Sequence, residues 1–150
     1  MIVSYDVFTE AFLSKITEYT FYQLPDRNRQ SIVDGYMKRA CAQFSEVCAI
    51  NIANGDDELR EFDVGEDVTE NELEEVVEIV SEGMVVQWFK RYMYHQENLL
   101  NLINTTDFSA YSPAELTYRI TNAYKQCKRD FITRMREYSY RHGDLTVLHI

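Results

Sequence analysis

The fold is decided by residues 69–89, which read TENELEEVVEIVSEGMVVQWF. Thr69 and Glu72 match a capping box, in which the Thr hydroxyl and the Glu carboxylate each satisfy a free backbone N–H at a helix start. Apolar side chains then recur at helical spacing, at Leu73, Val76, Val77, Val80, Met84 and Trp88. A helix formed by residues 84–89 would be apolar around nearly its whole circumference, which is typical of a buried helix. We predict a central core helix here, or one shared between the core and a neighbouring subunit.

Two more helices are predicted before this segment. The first covers about residues 5–19, is capped by Ser4, and carries Tyr5, Phe8, Phe12, Leu13 and Ile16 on one face. The second opens at Leu24-Pro25-Asp26, because Pro is tolerated in the first turn of a helix, and ends near residue 48. Gly35 interrupts its apolar stripe and predicts a close helix crossing.

The C-terminal part of the chain carries a second helix-start signal. Ser112-Pro113-Ala114-Glu115 is a capping box with Pro at the first helical position, and the helix it opens ends near Gly143, an expected left-handed stop. The central helix is expected to extend to about Ile103, with a kink near His95, and residues 104–111 are expected to form a loop. The fold class is therefore mainly α: a compact bundle of about four to five helices.

A polar and acidic connection, residues 49–68, joins the second predicted helix to the central one. Ile50 and Ile52 alternate with polar neighbours, which is a weak strand signal. Asn54-Gly55-Asp56-Asp57 is a turn signal. A connection of this length is expected to be a functional or mobile loop.

The charge of the chain is unevenly distributed. The net charge is −10, and residues 56–82 hold thirteen acids against one base, Arg60, so the rest of the chain carries +2. An acidic surface repels DNA phosphates, which argues against general DNA binding. The acids of 56–67 lack the fixed ligand spacing of a calcium loop, so a solvated acidic surface is the simpler interpretation.

Catalytic and metal-binding motifs are lacking in the sequence. His95, His142 and His149 are scattered, and Cys41, Cys48 and Cys127 form no CxxC pair. There is neither a glycine-rich phosphate loop nor a GxSxG elbow. We expect no enzyme activity, no cofactor and no metal. Neither a membrane span nor a secretion signal is expected, and the three thiols are expected to be reduced.

The chain ends on an apolar segment. We expect residues 1–142 to form the helical domain and residues 143–150 to form an extended C-terminal tail. Four apolar side chains of this tail are candidate docking residues: Leu145, Val147, Leu148 and Ile150. Such a terminus is unusual, because chain ends are normally polar and frayed. The tail either folds back onto its own domain or docks on a partner.

Basic side chains line the helix predicted over 113–142, and three interpretations of them stay open. They could bind nucleic acid, compensate the acidic segment within the chain, or pair with an acidic patch on a neighbouring subunit. The net charge makes the first the weakest. The third would suit head-to-tail packing into a closed ring, with Arg129, Arg134 and Arg136 as subunit contacts.

The order of these elements resembles the head–tail connector, or adaptor, proteins of tailed bacteriophages. The resemblance lies in a short helix, a longer one opened by Leu24-Pro25, a variable loop, the apolar helix at 76–89, the helix opened by Ser112-Pro113, and the apolar tail. It implies a structural virion protein that is made in the host cytoplasm and forms a homo-oligomeric ring of about twelve copies in the viral neck. The ring would lie below the portal protein and above the next neck or tail protein. Phage DNA would pass through it without specific binding.

By the same resemblance, the tail would dock on the portal and the acidic loop would face the DNA channel. The loop residues concerned are Asp56, Asp57, Glu58, Glu61, Asp63, Glu66 and Asp67. The family has no catalytic residues to carry over, and the acidic segment here is longer than in the smallest members. The alternative function is a small acidic regulator that mimics DNA and inhibits a DNA-binding protein.

Overall fold

The computed structural model describes residues 1–16, 24–48, 50, 52–94 and 113–143. In this part of the chain there are four helices and a two-stranded sheet, which confirms the predicted mainly α fold. The elements in chain order are β1 (Ile2–Ser4), α1 (Tyr5–Leu13), α2 (Asp26–Val47), β2 (Glu61–Asp63), α3 (Glu70–Tyr94) and α4 (Pro113–His142). The expected continuation of α3 to Ile103 and the tail anchors Leu145, Val147, Leu148 and Ile150 lie outside the described residues.

Helix α3 is the centre of the bundle, as its apolar sequence predicts. It packs against α1, α2 and α4, and α2 also touches both α1 and α4. The described parts of α1 and α4 share no extensive contact, so these two helices occupy opposite corners of the bundle. Val76, Ile79, Val80 and Met84 of α3 are fully enclosed. The helices that surround α3 therefore bury one face against it and leave the opposite face exposed.

The closest helix crossing is formed at Gly83 of α3. A Cβ atom at this position would lie 2.6 Å from Cζ of Phe131 on α4 and 3.1 Å from Cβ of Ala40 on α2. Only glycine leaves room for all three helices at this point. The expectation of a close crossing at Gly35 is wrong, because a Cβ there would meet only the Arg39 guanidinium, at 3.7 Å.

The helix ends follow the sequence signals in part. The backbone N–H of Glu72 donates to Oγ1 of Thr69 at 3.2 Å, which is one half of the predicted capping box. The Glu72 carboxylate does not provide the other half, since it accepts a 2.6 Å hydrogen bond from the Tyr138 hydroxyl on α4. Gly143 ends α4 without a left-handed backbone, contrary to expectation. Glycine is favoured there because a Cβ would collide with the Ser139 carbonyl oxygen.

The small sheet was not predicted. β1 and β2 pair antiparallel with Val3 opposite Phe62 and Ile2 opposite Asp63. Val3 and Phe62 point inward, and the Phe62 ring packs against Tyr5 and Phe8 at centroid distances of 4.6 and 5.6 Å. The strand expected at residues 50–52 is not formed at the two described positions, where Ile50 and Ile52 are buried in irregular backbone.

Candidate functional site

Arg60 fixes the acidic connection to the bundle. Its guanidinium donates from Nε and Nη2 to the two carboxylate oxygens of Asp34 on α2, at 3.0 and 2.9 Å, and from Nη1 to Asp6 on α1, at 2.7 Å. It also lies over the Tyr5 ring, 5.8 Å from the centroid. The hydrogen bonds to Asp34, followed by those to Asp6, raise the pKa of Arg60 above its ordinary value. Its φ of 54° lies in the left-handed region, so these contacts hold a strained backbone in place.

Asp57 forms a second anchor of the same connection. Its carboxylate pairs with Nζ of Lys38 at 2.9 Å and accepts a 3.0 Å hydrogen bond from the Tyr5 hydroxyl. The hydrogen bond from Lys38, and then that from Tyr5, lowers the pKa of Asp57. Burial, together with the bond to Asp57, raises the pKa of Tyr5 to about 12. Asp56 closes the adjoining turn by accepting from the backbone N–H groups of Glu58 and Leu59.

The acidic loop expected to face a channel is thus an ordered segment. Asp56 and Asp57 are engaged as described, and Asp63 pairs with the amino terminus at 3.6 Å and accepts from the Gly65 N–H. Glu58, Glu66 and Asp67 are exposed, and Glu61 is half-buried in β2. No cluster of metal-ligating side chains occurs in the part of the chain that the structure describes.

Four acids of α3 pair with basic groups of other elements, three of them mainly with α4, while Glu78 binds Nζ of Lys15 at 2.5 Å. Glu82 and Glu78 face Arg134, Glu75 binds Arg141, and the Glu72 and Glu75 carboxylates lie 3.7 and 3.4 Å from the His142 ring nitrogens. We call these ion pairs the α3–α4 seam. They compensate acidic charge within the chain, which was one of the three interpretations of the basic side chains on this helix. Of the three predicted subunit contacts, Arg134 belongs to this seam.

Arg129 and Arg136 lie elsewhere, on the side of α4 that points away from the bundle. We call this side the α4 outer face; its exposed members include, at steps of four or seven, Tyr118, Lys125, Arg129, Arg136 and Tyr140, and the exposed acids Asp130 and Glu137 directly follow the two arginines in the chain. The two tyrosines are each 68% exposed, which is high for side chains that usually pack. Arg129 donates to the Gln126 side chain at 3.2 Å, within its own helix. The face therefore combines basic groups with flat aromatic rings.

A second exposed face lies at the opposite corner of the bundle. We call it the β1–α1 outer face; it contains Ile2, Glu61 and Asp63 of the sheet and the exposed Val7 of α1, whereas Glu10 lines a cavity with Arg27, Arg29 and Arg60. Ile2 is 68% exposed and Val7 is 43% exposed. Ile2 and Asp63 are register partners in the sheet, so an apolar and an acidic side chain stand next to each other. The charge of this face is mixed, because the amino-terminal ammonium lies 3.6 Å from the Asp63 carboxylate.

The cavities of the described chain differ in their chemistry. One of about 370 Å³ is lined by Asp67, Glu72, Tyr138 and His142, among other residues. A cavity of about 590 Å³ between α2 and α3 is lined by Gly35, Tyr36, Arg39, Lys90 and Arg91, with Ser31, Ile32 and Gln87. No carboxylate, imidazole or thiol is among its described lining residues, so it lacks a pair that could exchange protons with a substrate.

The cysteines are structural in character. Cys41 and Cys48 are buried and all three thiols are free. Burial raises the pKa of Cys41 to about 12 and that of Cys48 to about 11, and it also raises the pKa of Cys127. The nucleophilic thiolate is thereby disfavoured.

Comparison of the chain with protein-family models, with curated proteins and with solved structures finds no match. None of the helices in the described ranges is long and apolar enough to cross a membrane.

Proposed function

We propose that this protein is a structural subunit of a bacteriophage neck, a head–tail adaptor that forms a ring below the portal and extends the DNA channel. The observation that carries the proposal is the pair of outer faces at opposite corners of one small bundle. Each face exposes large apolar or aromatic side chains: Tyr118 and Tyr140 on α4, and Ile2 and Val7 at the other corner. Such side chains are favourable on a surface that is covered in an assembly.

The charge distribution supports an assembly component more than a DNA mimic. A mimic needs a free array of carboxylates, and α3 turns Glu72, Glu75, Glu78 and Glu82 toward basic groups of its own chain. Asp57 and Asp63 are also paired within the chain. The acids that remain exposed near the loop are fewer than the sequence count suggests. They suit a channel lining that repels phosphate at short range and lets DNA pass.

The experiment is a binding assay with the portal ring encoded in the same genome. The full chain and a chain that ends at Gly143 are each mixed with portal rings and separated by sedimentation. We expect the full chain to bind the portal in a fixed ratio and the shortened chain to bind at least tenfold more weakly while keeping its helical circular dichroism. Failure of the full chain to bind at any concentration would refute the adaptor function. Equal binding by both chains would refute docking through Leu145, Val147, Leu148 and Ile150.

A further inference from the structure

We propose that the cavity between α2 and α3 binds a phosphorylated small molecule, with its phosphate held by Arg39, Lys90 and Arg91 and its other end hydrogen-bonded to Gln87. The cavity has a volume of about 590 Å³. Small-molecule sites usually enclose roughly 300–1,000 Å³, so a ligand of nucleotide size fits this space. The site is separate from the two outer faces, and the inference does not depend on the adaptor function.

The charge of the cavity lining is positive. Arg39 comes from α2, and Lys90 and Arg91 come from α3. The described lining residues include no carboxylate, although the whole chain carries −10. Salt screens charges that lie more than about 8–10 Å away, so the nearby cations dominate the attraction for an ion that enters the cavity.

Arg39 is placed to bind an anion. It is exposed, and it pairs with no carboxylate among the described residues. Its guanidinium lies over the Tyr36 ring, 5.6 Å from the centroid. A Cβ atom at Gly35, which also lines the cavity, would meet only the Arg39 guanidinium, at 3.7 Å. The space beside Arg39 is therefore open, and the planar fork of N–H donors suits two oxygens of one phosphate.

Gln87 provides a second and independent observation. Its side chain lines the same cavity from α3 and is only 8% exposed, yet it has no hydrogen-bond partner in the described part of the chain. Buried polar groups in native proteins are nearly always paired, because an unpaired one loses its hydration without compensation. An amide offers both a donor and an acceptor, so a hydroxyl or amine of a ligand can satisfy it.

These two observations together select the class of ligand. Inorganic phosphate fills only a small part of the cavity and does not need the amide. A molecule that carries phosphate at one end and a hydrogen-bonding group at the other can engage Arg39 and Gln87 at once. Nucleotides and sugar phosphates share this chemistry, and the binding assay distinguishes them.

A DNA duplex also presents phosphates, but the cavity does not favour it. The cavity lies between two packed helices, and the axes of packed helices are only about 8–10 Å apart, so a duplex would contact the rim without reaching Gln87. The net charge of −10 also repels a polyanion over its whole length.

The test is isothermal titration of the full chain at low salt in a buffer without phosphate. The probes are inorganic phosphate, pyrophosphate, ADP, glucose 6-phosphate and a short DNA duplex. The cavity variants are Arg39→Ala, Gln87→Leu and Gln87→Glu, of which the last keeps the side-chain shape and adds a negative charge. The control is Arg136→Ala, which removes the same side chain from an exposed position on α4. Circular dichroism and thermal melting check the folding of each variant.

The expected results separate the two parts of the ligand. The wild-type chain binds ADP or glucose 6-phosphate more tightly than either inorganic ion, and the tighter of the two identifies the group beyond the phosphate. Arg39→Ala weakens all of these probes by roughly tenfold, since a charge-assisted hydrogen bond is lost. Gln87→Leu weakens only the organic phosphates, Gln87→Glu weakens every anion, and Arg136→Ala binds like the wild type.

Four outcomes would overturn the inference. They are no binding of either organic phosphate at millimolar concentration, tighter binding of the inorganic ions, an equal loss in Arg39→Ala and Arg136→Ala, or organic phosphates that bind equally well to the folded Gln87 variants. Duplex binding that Arg39→Ala abolishes, without small-molecule binding, would assign the basic groups to nucleic acid instead. The adaptor function is judged separately, by portal binding.

Discussion

Replacing Gly83 by alanine tests the packing at the centre of the bundle. The added Cβ would lie 2.6 Å from Cζ of Phe131, about 1 Å inside the optimal carbon–carbon separation. Overpacking of this kind costs about 1–3 kcal/mol, while alanine in place of glycine in a helix gains about 1 kcal/mol. We expect Gly83→Ala to destabilise the fold by up to about 2 kcal/mol, which corresponds to a fall in Tm of up to roughly 8 °C at this chain length.

The matched control is Gly35→Ala on α2. The new Cβ would make only an ordinary contact with the Arg39 guanidinium, at 3.7 Å, so the helix-propensity gain should appear uncompensated. We expect Gly35→Ala to stabilise the protein by up to about 1 kcal/mol. Both variants are measured by urea unfolding monitored by circular dichroism.

A double-mutant cycle with Phe131→Leu decides whether the clash is the cause. The shorter side chain removes the ring atom that the new Cβ would meet, so the cost of Gly83→Ala should shrink in the Phe131→Leu background. The reasoning is refuted if Gly83→Ala is as stabilising as Gly35→Ala, or if its cost is the same in both backgrounds.

Three further predictions follow from the contacts of the loop and the core. Arg60→Ala should lower stability by about 2–3 kcal/mol in urea unfolding, because it leaves Asp34 without its paired donor; unchanged stability would show that Arg60 is not an anchor. Tyr5 is favoured in its neutral form by the fold, so its contribution is fully present below pH 10.0 and is lost as pH rises through about 12. The decline in unfolding free energy at alkaline pH should therefore be shallower in Tyr5→Phe, and an unaltered pH dependence would contradict this. Cys41 and Cys48 should resist a thiol reagent in the native protein and react only on unfolding, whereas immediate modification of either would contradict their burial.

The helices with a long periodic pattern of apolar residues can be predicted from the sequence. The apolar residues of 73–88 recur over several turns, and the bundle needs such a helix at its centre, so α3 could be found from the sequence. α2 and α4 followed from Pro25 and Pro113, which mark helix starts by their chemistry. The three-residue strands could not be found, because two alternating positions do not make a period and Val3 pairs with Phe62, which is distant in the sequence.

The glycine assignments failed for a physical reason. A glycine in a helix signals that some neighbour approaches closely, but the neighbour is a property of the tertiary structure. Gly35 and Gly83 look alike in sequence, and only Gly83 faces Phe131 and Ala40. The capping box predicted at Thr69 is likewise formed only in part, because the Glu72 carboxylate accepts a hydrogen bond from the Tyr138 hydroxyl on α4.

The sequence predicts that α4 carries many basic side chains, but it does not predict which of them form an outer face. Arg129, Arg134 and Arg136 are equivalent in a list of bases, yet helical spacing turns Arg134 toward Glu82 and the other two outward. The position of α1 opposite α4 depends on how four helices pack, which no local pattern encodes. An angular plot of the helix at 113–142 would have separated the two sets of arginines.

The most direct test of the adaptor account is a cryo-electron microscopy structure of the portal ring mixed with an excess of this protein. The account predicts a closed ring of this chain on one end of the portal, continuous with its channel. A portal ring with no added density, or with isolated copies that do not touch one another, would contradict it.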